Sequence, residues 1–363
     1  MTRNYLLVLL LLISSLACKT NRPLTDPNYQ TAIAQARKLV QDTRRDSHFP
    51  GIAVAVSVKG KLVWSEGFGF ADIAEQEQID PDRHLFRIGS ISKPLTATGL
   101  ALLYQQGKID LDAPIQTYVP SFPEKEYPIS LRQLGGHLAG IRHYNGTEFL
   151  SDKKYETVLE GLDIFQDDPL LHEPGSKYAY SSYGWNLISA AMETAAGEDF
   201  LSYMEEKVFD PLDLEHTFAE HMDQTYEDRV SFYELKNDQL ELSPYVDNSY
   251  KWAGGGFIST AEDMIRFGNA HMHPGFLNEE TWLTFTRSQT DNNGKMTNYG
   301  IGWRSGEDNK DREWFGHSGG SVGGTSFLAI YPEQEIVVVT LVNLSSARLN
   351  NLPFRIANQF LTQ

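Results

Sequence analysis

Cysteine is almost missing from this chain: Cys18 is the only one among 363 residues. Beyond it there can be no disulfide framework, no thiol nucleophile and no cysteine-based metal site. Positive charge is also scarce. Lys and Arg number 31 against 48 Asp and Glu, which gives a formal charge of -17, and the cations are not clustered. Nucleic acid and anionic membrane surfaces demand such clusters, so neither is expected as a partner. Repeats, low-complexity tracts and heptad seams are lacking as well. The apolar run Leu6 to Ile13 is too short to serve comfortably as a mature membrane helix.

That run has a different use. Arg3 precedes it and small residues follow, ending in Ser15-Leu16-Ala17-Cys18. Residues 1–17 are therefore expected to be a signal peptide. The Cys resembles the lipidated N-terminus of bacterial lipoproteins, although an aliphatic residue is usual where Ser15 stands. The alternative is a simple cleaved leader with an incidental Cys. Lipidation at Cys18 is favoured, because the sole cysteine sits just past the apolar run. The chain is then exported to the periplasm or cell surface and held to a membrane, with residues 18–30 as a polar tether.

Apolar content of 41% and charged content of 22% are ordinary for a globular chain, and the length allows a large core. Thr31 to Arg45 has helical spacing, and Gly51 to Val58 with Leu62 to Phe70 reads as a hairpin. A buried helix is expected from Ser90 to about Gln106. The middle of the chain gives helix and loop signals, including Ser130 to Leu138 and Phe200 to Val208. From Trp252 onward the pattern turns strand-like, with Tyr299 to Trp303, Ser326 to Tyr331 and Ile336 to Val342, before a last helix. The expected class is α/β (α+β): residues 31–88 and 252–363 form one antiparallel sheet domain flanked by helices. Residues 89–251 form an inserted, mainly helical domain.

Two places offer a Ser-x-x-Lys, Ser90 with Lys93 and Ser151 with Lys154. At a helix start this spacing puts hydroxyl and amine on one face, among orphan N–H groups and the positive end of the helix dipole. A serine hydrolase needs just these groups. Gly316-His317-Ser318-Gly319-Gly320 offers a rival nucleophile in G-x-S-x-G form. It fails, because no Asp or His follows Ser318 and no helix follows it directly. Its glycines better suit a strand approaching a substrate. Tyr180, on a loop before a helix, is a candidate base whose phenolate the dipole and a lysine can stabilise.

Ser90-Ile91-Ser92-Lys93, Tyr180-Ser181-Ser182 and His317-Ser318-Gly319 resemble, in order, the three motifs of penicillin-recognising serine hydrolases. Tyr118-Val119-Pro120, Phe122 to Tyr127, Gly140-Ile141-Arg142-His143-Tyr144 and Tyr245 to Phe257 (YVDNSYKWAGGGF) resemble the mitochondrial serine β-lactamase-like family more closely. The likeness covers roughly residues 48 to 350, without the extended insertion of vertebrate members. It implies a serine β-lactamase/DD-peptidase-like fold and a serine peptidase acting without a cofactor or metal. It further implies Ser90 as acylated nucleophile, Lys93 as base or proton relay, and Tyr180 as co-base that protonates the leaving group. Ser182, His317, Ser318 and Gly319 would line the cleft, and the backbone N–H groups of Ser90 and Gly320 would form the oxyanion hole.

Two departures bear on substrate. Ser182 stands where the family has an Asn that orients substrate and lysine. His317 stands where a lysine holds the carboxylate of β-lactams, and a largely neutral His weakens that grip. A peptide substrate is therefore expected. An ester or D-amino acid peptide, with weak β-lactamase activity, is the alternative, and a catalytically silent scaffold is the rival of another class. A homo-oligomer is compatible with the sequence. His137 is read as structural, Arg142 and His143 as bordering the cleft if the resemblance holds. His271-Met272-His273 is read as an exposed helix end. Tyr250 and Trp252 are read as core or pocket wall.

Overall fold

The computed structural model describes residues 23–361; the leader and Cys18 lie outside them. The strands Gly51–Val58 and Lys61–Asp72 form the expected hairpin. Glu313–Ser321, Gly324–Tyr331 and Ile336–Val342 form a meander that begins beside the edge strand Arg304–Glu307. The two groups join where Ile336–Val342 pairs antiparallel with Gly51–Val58, Ala55 opposite Val339. Every pairing in this eight-stranded sheet is antiparallel.

The central strands are apolar at consecutive positions because both faces of the sheet are covered. Ile52, Val54, Val56 and Val338 pack with Ile33, Ala36 and Val40 of the helix Gln30–Asp46 and with Ile356 and Phe360 of the helix Leu352–Phe360. Ala53, Ala55, Val337 and Val339 face the other way, in one continuous core with Leu95, Leu100, Trp185 and Ile188. Burying each such Val, Leu or Ile contributes roughly 1.5–3 kcal/mol. No helix among the described residues is long and apolar enough to cross a membrane.

The helix Ser92–Gln105 is buried nearly all round, as its sequence implies, and even its Thr96 hydroxyl is bonded inside, to the Ala253 carbonyl at 2.9 Å. Pro94 sits in its first turn, where a missing N–H has no intrahelical partner to lose. The helix Tyr183–Ala196 packs against it.

Three local expectations are refined or corrected. The strand-like stretch from Trp252 onward begins as the turn that its glycines suggest, a helical turn Trp252–Gly255 closed by Gly256 N–H on the Trp252 carbonyl, and only Phe257–Ser259 is strand. Glycine relieves a tight approach there: a Cβ on Gly254 would stand 3.0 Å from the Ser182 carbonyl and 3.3 Å from Trp185 Cβ. Residues 299–303 are not a strand; Gly302 takes a positive φ of 85° and the edge strand starts at Arg304. The expected helix 200–208 is shortened to Phe200–Met204 and runs on as a π-turn.

Candidate active site

Ser90 stands in the middle of the single turn Gly89–Ile91, directly before the helix that carries Lys93. Gly89 has a positive φ of 50°, and a Cβ on it would meet Gly320 backbone atoms at 2.6–2.8 Å. A Cβ on Gly319 would lie 2.0 Å from the Ile88 carbonyl. The glycines of the strand Glu313–Ser321 therefore let it lie directly on the segment that leads into Ser90. One cavity of about 550 Å³ opens along this seam, lined by Ser90, Tyr180, Ser182, His317, Ser318, Gly319 and Gly320.

Lys93 is fully buried, and its Nζ has three neighbours: the Gly254 carbonyl at 2.6 Å, Ser182 Oγ at 3.0 Å and Ser90 Oγ at 3.0 Å. Burial pushes its amine well below the usual lysine range, and the cations Lys251 and Arg304 push it further. Tyr180 donates to Ser90 Oγ at 2.9 Å. Its phenol is held above the ordinary value by burial, which outweighs the hydrogen bond with Ser90 and the charge of Arg304. The stabilised phenolate expected from the helix dipole is thus not what the resting site offers.

Two histidines hold the loop that bears Tyr180. His137 Nδ1 accepts the Ser181 N–H and His143 Nδ1 accepts the Ser182 N–H, both at 3.2 Å. The Ser182 N–H is an orphan donor at the N-cap of the helix Tyr183–Ala196, and the Ser181 N–H lies just before it. The His137 ring also packs on Tyr180 and Tyr299, at 4.2 and 4.5 Å between centroids, in the structural place expected for it. His317 is bound at both nitrogens, Nε2 to Tyr299 OH at 2.7 Å and Nδ1 to the Ser318 carbonyl at 2.6 Å. Burial, with Lys93 and Arg304 nearby, keeps it neutral.

The remaining candidates fall elsewhere. Ser318 lies inside a strand opposite Phe327, not on a strand–helix turn. Ser151 and Lys154 lie on no helix, and Lys154 is an exposed partner of Asp223 and Glu156. Arg142 is tied to Glu148 and Asp168, away from the cavity lining. Tyr250 packs in the core, whereas its neighbour Lys251 reaches the cavity. His271 is not exposed but buried, with Nε2 on Thr98 Oγ1. Among the described residues no group of three or more His, Cys, Asp or Glu is placed to hold a metal.

Sequence reasoning missed Lys251, Arg304 and Tyr299. Lys251 is buried yet meets no carboxylate within ion-pair distance among the described residues; the rings of Phe149, Tyr250 and Tyr144 surround it at 4.2–5.4 Å. A lone lysine inside YVDNSYKWAGGGF was the available signal. Arg304, at the start of the edge strand, lies over Tyr180 and Tyr299, and nothing local in the sequence marks it.

Comparison with known proteins places this architecture. The beta-lactamase family model matches residues 36–358. The human serine beta-lactamase-like protein LACTB, mitochondrial, is 33% identical, over 92% of this chain and 80% of its own length. Penicillin-binding protein 4* of Bacillus subtilis is 24% identical, over 83% and 70%. Among solved structures, the D-amino acid amidase of Ochrobactrum anthropi superposes with a TM-score of 0.81 at 22% identity, covering 91% of this chain and 99% of that one. The octameric penicillin-binding protein homologue of Pyrococcus abyssi gives 0.80 at 22%, over 91% and 78%. The chain belongs to the beta-lactamase family of serine hydrolases, and within it resembles the serine beta-lactamase-like proteins.

Proposed function

We propose that this protein is an exported, lipid-anchored serine peptidase that works through an acyl-enzyme on Ser90. The observation that carries the reading is the convergence of Lys93 Nζ and Tyr180 OH on Ser90 Oγ, at 3.0 and 2.9 Å.

Proton placement follows from valence. As a neutral amine, Lys93 has two hydrogens, which its Gly254 and Ser182 neighbours take. Its lone pair is left for Ser90, so Lys93 is the base that accepts the Ser90 proton as Oγ attacks the substrate carbonyl. The oxyanion forms beside the backbone N–H groups of Ser90 and Gly320. Tyr180, still protonated, gives its proton to the leaving nitrogen as the C–N bond breaks, and Lys93 restores it. Water then attacks the ester carbonyl by the reverse relay and frees the acid and Ser90.

The cavity favours substrates that carry a carboxylate. Lys251 and Arg304 line it and, among the described residues, no Asp or Glu does. Short esters and D-amino acid amides or peptides are the second reading, supported by the likeness to an amidase fold. An oligomer is a further expectation, suggested by the octameric relative.

A fluorophosphonate probe tests the reading. Covalent labelling at Ser90, lost in Ser90→Ala, is the expected result; folded wild-type protein that takes no label is a scaffold instead. Mass spectrometry of the mature N-terminus tests the diacylglyceryl group on Cys18, and light scattering tests the oligomer.

A further inference from the structure

The family position that bears an orienting amide is Ser182 here, and Ser182 cannot do that work. Its Oγ lies 3.0 Å from Lys93 Nζ, inside the catalytic cluster, and its side chain is buried and short. The group next to it is the His143 imidazole. Because the Ser182 backbone N–H can only donate, His143 Nδ1 must accept at 3.2 Å. That bond fixes the tautomer: the ring carries its proton on Nε2.

The ring is also fixed in orientation. It packs against Tyr144 in a tilted arrangement, 4.3 Å between centroids, and meets Tyr180 edge-on at 5.5 Å. It lines the same cavity as Ser90, and no acceptor among the described residues bonds Nε2. Burial, followed by the charges of Lys93 and Lys251, lowers its pKa to about 4. Across neutral pH it is therefore a fixed, uncharged N–H donor.

We infer that His143 is a substrate-positioning residue whose Nε2–H binds a second, non-scissile carbonyl of the substrate, taking over from the amide that Ser182 lacks. This selects acyl groups with an internal amide, as in a peptide, over plain alkanoyl groups. The inference rests on the Ser90 acyl-enzyme proposed above.

Two thioesters of matched length test it, one with an N-acylglycyl acyl group and one with the alkanoyl group of the same number of atoms. Wild type, His143→Phe and His143→Gln are compared by kcat/KM. Gln can accept from Ser182 N–H and still donate an amide hydrogen. The expected result is a wild-type preference for the N-acylglycyl thioester of about tenfold, the scale of one hydrogen bond. His143→Phe should erase that preference through KM, and His143→Gln should restore most of it. A merely structural histidine predicts otherwise: both thioesters lose the same factor in His143→Phe, and that outcome overturns the inference. The fluorophosphonate label separates the two levels. A labelled wild type whose preference survives in His143→Phe defeats only the role of His143. A wild type that neither labels nor turns over either thioester defeats the hydrolase reading itself.

Discussion

Tyr299 and His317 share a 2.7 Å hydrogen bond that decides what the third-motif histidine can do. The carbonyl of Ser318, 2.6 Å from Nδ1, can only accept, so Nδ1 donates and Nε2 accepts from the Tyr299 hydroxyl. No N–H of this ring remains for a substrate carboxylate. Arg304 is the cation left on that wall.

Nitrocefin, whose carboxylate would have to be held at the third motif where both His317 nitrogens are occupied, should turn over far more slowly than a peptide or ester whose carboxylate, if any, reaches Arg304 or Lys251. Arg304→Gln should raise KM for carboxylate-bearing substrates by about 10- to 100-fold, the scale of a charged hydrogen bond; compared above the acid limb, where Lys93 is neutral in both proteins, kcat for neutral esters should change far less. Equal losses on charged and neutral substrates would contradict this assignment.

Tyr180→Phe removes only a hydroxyl, from a ring held in place by His137 and His143. We expect kcat to fall about 100- to 10,000-fold, the usual worth of one positioned acid or base. Peptides, whose leaving nitrogen needs a proton, should suffer more than activated esters. Steady-state kinetics on one of each measures the difference.

The acid limb of kcat/KM should report Lys93. Its amine is depressed by burial and by Lys251 and Arg304, so activity persists well below the free lysine range and is lost as Lys93 takes a proton. Lys251→Met removes one repelling cation. The limb should then move to higher pH, and a shift to lower pH would refute the coupling.

Stability should fall on acidification below about pH 6.5. Burial holds His271 down to about 4, so between those values the unfolded chain binds the proton and the folded one resists it. The contribution is present above the unfolded pKa and lost as pH falls through the folded one, on the order of 3 kcal/mol in all. Urea midpoints measured from pH 7 to 4 should show a shallower decline in His271→Gln than in wild type.

Gly319→Ala should damage both stability and turnover. Its Cβ would press the Ile88 carbonyl and Ser326 Oγ at 2.0 and 2.1 Å, a clash with backbone that costs at least about 1–3 kcal/mol. Gly320→Ala faces open space and should be far milder. Thermal melts of the two variants provide the comparison.

Where the pattern was physical, the sequence could be read. The run Ile336 to Val342 is β-branched at every position but Leu341, and the strand has those bounds. Ser90, Lys93 and Tyr180 follow ordered motifs, and the fold brings them together. Other features depended on partners distant in the chain. The turn at Trp252 to Gly255 follows from its glycines, but that Gly254 packs against Ser182 is set by tertiary contact and not by local propensity. His271 is buried because Thr98, far earlier, supplies its hydrogen bond. Arg304 enters the cavity only because its strand pairs with Glu313–Ser321.

The pairing of Gly51–Val58 with Ile336–Val342 also governs how the chain can assemble. Until synthesis passes residue 342, the early hairpin has a bare edge where its central neighbour belongs. Contacts that span most of the chain make sheet closure a late and slow event. Export as proposed, with the chain threaded through a membrane unfolded, would gain from that delay, because the sheet cannot close before its last strand has arrived.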